Sequence, residues 1–163
     1  MYRSRKCRRQ IKGQLHLDLV VATDDDTYWH ECKIAIEELT SSVQVNIHLN
    51  HPHHLVKPIL ESAHLFILPT EGENFGHAIF ESLAVGCPVL ISDQTPWKDL
   101  QSKKAGVDLP INKELFAEAV QQFVDMDDQQ WQEHRMGALA LATDYEKHIN
   151  ADRAYGNLFQ NAE

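Results

Sequence analysis

Two kinds of apolar spacing alternate along the chain. Leu15, Leu17 and Leu19 recur at every second position within Gln14–Ala22, the period of a strand with one covered face. Trp29, Cys32, Ile36 and Leu39 then share one stripe of a helix that Asp26 can cap and that runs to about Leu39. A strand is predicted at Val43–Leu49 and a helix at Pro52–Ser62, with Pro52 suited to the helix start. The continuous apolar run Leu65–Leu68 fits a strand covered on both faces. A helix from Gly76 or His77 closes at Gly86, a C′ glycine, and Val89–Ile91 reads as the next strand. A short helix Pro96–Gln101 and a short strand Val107–Leu109 follow. The rest reads as helices from Asn112 or Lys113 to Asp125, from Asp128 to about Asp144, and from Asn150 onward. Gly137 weakens the second of these.

This alternation implies an α/β fold, a Rossmann-like parallel sheet with helices on both faces. No repeat or linker divides residues 1–163, so a single domain is expected. In such a sheet ligands bind beyond the carboxyl ends of the strands. The loops Thr23–Asp26, Asn50–His54 and Pro69–Gly76 occupy that position.

Composition narrows the partners. A hydrophobic fraction of 43% and a charged fraction of 24% fit a soluble globular protein. No apolar run has the length of a membrane-spanning helix, and the basic start of the chain lacks the apolar stretch of a signal peptide. Six of the 15 Lys and Arg residues lie in residues 1–12. Beyond them, nine basic residues face 24 acidic ones, a net of −15. Such a body repels nucleic acid. The basic segment reads as a solvated helix end, with peripheral contact to anionic lipid headgroups as the alternative. Cys7, Cys32 and Cys87 are widely spaced and odd in number, so free thiols in a reducing cytoplasm are expected.

The chemistry concentrates in residues 69–91. A strand leads into an acidic loop with Gly72 and Gly76, then into a helix and a further strand. The first turn of that helix has free N–H groups and the positive end of the dipole, which suit a phosphate. Glu73 stays on the loop side, and Glu81 lies about four residues inside the helix, roughly 6 Å along its axis. A carboxylate can accept both hydrogen bonds of a vicinal diol. The pair therefore suits a ligand with hydroxyl-rich ends and a diphosphate between them, a nucleotide-sugar. Acid/base glycoside hydrolysis also needs two carboxylates, but one residue before a helix and one within it fit diol binding better. His77 can donate a hydrogen bond to an anion at the helix start. His48, His51, His53 and His54 lack a regular metal-ligand spacing, and a polar loop role is expected. Asp24–Asp26 reads as a turn and helix cap, and Trp97 as a packing anchor.

Taken with Glu73, Phe75, Gly76, Glu81, Gly86, Pro88 and Val89, the stretch resembles the Glu-x7-Glu motif of retaining GT-B glycosyltransferases, the glycosyl transferases group 1 family. Ser92–Trp97 is similar to the version in bacterial polysaccharide-building members. The resemblance runs from about Gly13 to Asp144 and covers the C-terminal, donor-binding half. It implies that Glu73 and Asn74 contact the donor sugar and that Glu81 binds the ribose. The amides around Phe75, Gly76, His77 and Ala78 would face the diphosphate, and neither a cofactor nor a metal would be needed. It places the Asn50–His54 loop near the base. It also implies an absent first strand and acceptor domain, with residues 1–12 the remnant of a preceding helix and 145–163 a helical tail. The expected partners are a nucleotide-sugar or nucleoside diphosphate, and a second chain supplying the acceptor half or self-association. The expected place is the cytoplasm, including the inner membrane face. A non-catalytic nucleotide-binding module, or a remnant acting with a partner that supplies the acceptor domain, is the alternative function.

Overall fold

The computed structural model describes residues 12–22 and 26–160. Strands β1 (Leu15–Val21) and β2 (Val43–Leu49) flank helix α1 (Asp26–Glu37). A 3₁₀ turn, His53–Leu55, leads into α2 (Val56–Ser62), followed by β3 (Phe66–Leu68), α3 (His77–Ala84), β4 (Val89–Ser92) and β5 (Gly106–Leu109). Helices α4 (Lys113–Val124) and α5 (Asp128–Gln160) complete the order. Every strand pairing is parallel, so the architecture is the expected Rossmann-like α/β class.

The strands form two sheets, not the single sheet expected from the alternation. β1 pairs with β2, while β3, β4 and β5 form a separate sheet in that order. No strand among the described residues pairs with both groups. Burial differs between them. No described residue before Leu60 is buried, and Val20, Ile47 and Leu49 on β1 and β2 are 42–50% exposed. Along α1, Trp29, Cys32 and Ile36 are half-buried as the stripe predicts, but Leu39 is exposed.

The core is built on β4, the central strand of its sheet. Val89 and Ile91 face one side, where α3 and α5 supply Ile79, Leu83, Ala138 and Ala142. Leu90 faces the other side with Val107 and, from α4, Ala119 and Val120. Covering both faces leaves all four β4 residues buried. β3, expected to be covered equally, is half-buried along its length, because it lies at the sheet edge.

Helix α3 ends in a Schellman closure. Gly86 sits at φ +79°, its N–H donates to Leu83 O at 3.0 Å, and the Cys87 N–H donates to Ser82 O at 3.0 Å. A Cβ on Gly86 would come within 3.0 Å of Arg135 Cγ, so the same glycine admits α5.

Three local expectations change. Residues 96–101 form turns without a helix. Asp99 there adopts φ +58°, and the Leu100 N–H is taken by Asp108 Oδ1 at 3.0 Å. The expected pair of C-terminal helices is one continuous helix, α5. Gly137 does not break it: a Cβ there would lie 2.4 Å from the carbonyl oxygens of Lys103 and Lys104, so the glycine lets the 103–104 turn sit against the helix. Residues 145–160 of the expected tail are likewise part of α5, with 161–163 outside the described residues, and Tyr145 packs on the core. The remnant helix at 1–12 and the turn at Asp24–Asp25 lie outside the described residues, apart from Lys12. The Lys12 N–H donates to Gln121 Oε1 of α4 at 2.8 Å. No described helix is long and apolar enough to cross a membrane.

Candidate functional site

The loop after β3 is fastened at several points before it reaches α3. Ser92, at the end of β4, donates its hydroxyl to the Thr70 carbonyl. Thr70 Oγ1 donates to Gly72 O at 2.9 Å, and the Glu73 N–H reaches Gln94 O at 3.4 Å. The buried Trp97 donates its indole N–H to Phe75 O at 2.7 Å. The Phe75 ring turns into an aromatic cluster with Phe80, Trp97 and Tyr145, at centroid distances of 5.5–6.1 Å. The side chain of Phe75 is thus an anchor, and its backbone is held at the helix entrance.

Gly76 occupies the N-cap of α3 with φ +78°, and no side chain caps the helix. A Cβ on Gly76 would lie 2.7 Å from Ile79 Cδ1, and left-handed backbone is costly for other residues. Glycine therefore satisfies both the turn and the close packing. With no side-chain cap, the first-turn amides of α3 are left for an anion.

An open hollow of about 600 Å³ lies in front of this helix end, lined by Gly72, Glu73, Asn74, Phe75, Gly76, His77 and Gln94. Glu73, Asn74 and His77 are exposed there, and the His77 ring meets the Phe75 ring edge-on at 4.7 Å. Ala78 is exposed on the first turn but does not line the hollow. Glu81 also lies outside that lining. It is one turn further along α3, half-buried, with its Oε1 at 2.9 Å from His53 Nε2. The structure thus brings Glu73, Asn74, Phe75, Gly76 and His77 together on one hollow and sets Glu81 beside a different loop.

Three features were not legible in the motif. Gln94 enters the lining from the loop after β4. His53 contacts Glu81, although its place in the loop after β2 was a signal of proximity. Trp97 fixes the Phe75 carbonyl from 22 residues away. Two other histidines of the cluster, His48 and His51, lie beside β1 and β2. His48 Nε2 lies 2.9 Å from Asp18 Oδ1, a bond that lowers the carboxyl pKa of Asp18 from its ordinary value. The ring of His51 meets that of His48 edge-on at 5.1 Å. Among the described residues no three His, Cys, Asp or Glu side chains converge as a metal-binding set. Cys87 is buried, and burial raises its thiol pKa.

A second hollow, about 150 Å³, lies on the far side of Phe75, bounded by Trp97, Lys98, Lys103, Leu141 and Tyr145. Its lysines are engaged with the backbone: Lys98 Nζ donates to Asp93 O and Lys103 Nζ to Lys98 O at 3.1 Å.

Comparison with known proteins sets this geometry in context. The sequence model for glycosyl transferases group 1 matches residues 9–138. Seventeen solved chains are similar to the structure. Among them is WaaG, described as a glycosyltransferase involved in lipopolysaccharide biosynthesis. It matches with a TM-score of 0.60 at 16% identity, over 82% of this chain and 44% of its own length. The chain therefore spans under half of that enzyme, and the likeness is one of fold. No curated protein sequence matches.

Proposed function

The chain belongs to the glycosyl transferases group 1 family, and from that premise we propose that it holds the nucleotide-sugar donor of a retaining glycosyltransferase in bacterial polysaccharide or other glycan synthesis. The observation that carries this reading is the α3 helix end. It is uncapped by any side chain, is preceded by the Phe75 carbonyl that Trp97 holds, and faces a hollow lined by Glu73. The donor diphosphate lies at the amides of Phe75, Gly76, His77 and Ala78, where partial positive charge meets it without any reorganisation. Glu73 and Asn74 take the sugar hydroxyls on the loop side. Glu81, one turn into α3, takes the ribose hydroxyls. As the diphosphate leaves, the same helix end stabilises its growing negative charge. Glu73 orients the sugar through hydrogen bonds and forms no covalent bond to it. The site works in the cytoplasm, at the inner membrane face when the acceptor is lipid-linked.

Calorimetric titration with uridine, guanosine and adenosine diphosphates tests the reading. One of them should bind, and its affinity should fall when Glu81 is replaced by Ala. Absence of binding by all three at several millimolar would remove the donor-site assignment.

A further inference from the structure

Glu81 does not stand alone on α3. His53 opens the 3₁₀ turn that follows β2, and its Nε2 lies 2.9 Å from Glu81 Oε1, joining segments 28 residues apart. The turn is set locally: Pro52 precedes it at φ −58° and ψ 133°, and the Leu55 N–H donates to Pro52 O at 2.9 Å. The His53 side chain is 80% exposed and packs little, so the contact with Glu81 is its main structural engagement. Glu81 is 35% exposed and keeps its second oxygen outside that contact.

We infer that His53 is a positioning residue for ribose recognition, holding Glu81 by one carboxylate oxygen so that the other is aimed at the ribose diol. This rests on the donor-site reading above. A free glutamate side chain loses several rotors of freedom when it grips a diol, and a partner that already holds it removes part of that loss. An imidazole N–H suits the task. It donates one bond in a fixed direction and leaves the carboxylate its remaining lone pairs. The contact also ties the loop after β2, at the carboxyl edge of one sheet, to the helix that follows β3 in the other. Nucleotide selection by Glu81 therefore depends on the N-terminal strand pair as well as on α3.

The test compares the diphosphate of uridine, guanosine or adenosine that binds the parent chain with its 2′-deoxy counterpart. The variants are His53→Ala, His53→Gln, Glu81→Ala and the His53→Ala/Glu81→Ala double, each checked for folding by circular dichroism. His53→Ala should weaken the ribonucleotide about two- to fivefold, the range of an exposed pair, and leave the deoxynucleotide close to unchanged. His53→Gln, whose amide can donate from the position of Nε2, should restore the ribonucleotide preference. The double variant should bind no more weakly than Glu81→Ala. Equal losses for both nucleotides, a gain in affinity, or additive losses in the double variant would overturn the inference. A silent His53→Ala beside a damaging Glu81→Ala sinks the role of His53 alone. A silent Glu81→Ala, or no binding by the parent, sinks the donor-site reading and this inference with it.

Discussion

The indole N–H of Trp97 donates to the carbonyl oxygen of Phe75 at 2.7 Å, within a wall of packed aromatic rings. This bond fixes the backbone one residue before the α3 N-cap. Trp97→Phe keeps much of the ring packing and leaves that carbonyl without its donor, at a cost of about 1–3 kcal/mol in stability. Nucleoside-diphosphate affinity should fall as well, because the loop no longer presents its amides in one arrangement. Thermal melts and titration of the same preparation check both. Loss of stability with unchanged affinity would detach Trp97 from the site.

Gly76→Ala forces a side chain into left-handed backbone and against Ile79. The expected destabilisation is about 1–3 kcal/mol, read from urea unfolding. Gly72→Ala, where a Cβ meets nothing within 4 Å, serves as the control and should cost far less.

His134 on α5 ties stability to pH. Its Nδ1 is buried and finds no hydrogen-bond partner among the described residues. Desolvation first, and then the charge of Lys104, hold the imidazole pKa below its ordinary 6.5. The unfolded chain therefore takes up this proton at higher pH than the folded chain. The associated stability is present above 6.5 and is lost as pH falls through 6.5 toward the lower folded value. Tm should drop between about pH 7 and pH 5, and His134→Leu should flatten part of that drop. An unchanged slope in the variant would show that other groups carry it.

Burial predicts uneven local stability. Residues from Leu60 onward own the buried core, while β1, α1 and β2 have no buried residue among those described. Amide exchange in β1 and β2 should be faster than in β4 and α3 by roughly tenfold or more. Equal protection across both sheets would contradict the division.

Much of this was legible locally, and the failures have tertiary causes. Val43–Leu49 and the Gly86 closure follow from residue type and spacing, and the structure places both where expected. The split between the sheets was not legible, because alternation specifies strands and not which strands meet. The turn at 96–101 depends on Asp99 in left-handed backbone and on Asp108 reaching Leu100. The expected break after Asp144 does not occur: α5 runs on through it, and Tyr145 packs on the core, a contact that no local propensity encodes. In the site, the motif pointed to the α3 helix end, but the pairing of His53 with Glu81 joins loops that sequence distance hides.

The central claim is a division of labour between two carboxylates, and paired affinities test it most directly. Dissociation constants of one nucleoside diphosphate and its nucleotide-sugar are measured by calorimetry for the parent, Glu73→Ala and Glu81→Ala. Parent affinity for the diphosphate should be weak, on the order of 0.1–1 mM. Glu81→Ala should weaken both ligands by about 1.5–3 kcal/mol, the loss of hydrogen bonds to a charged group. Glu73→Ala should weaken the nucleotide-sugar and leave the bare diphosphate nearly unchanged. The same profile from both substitutions across both ligands would contradict the account.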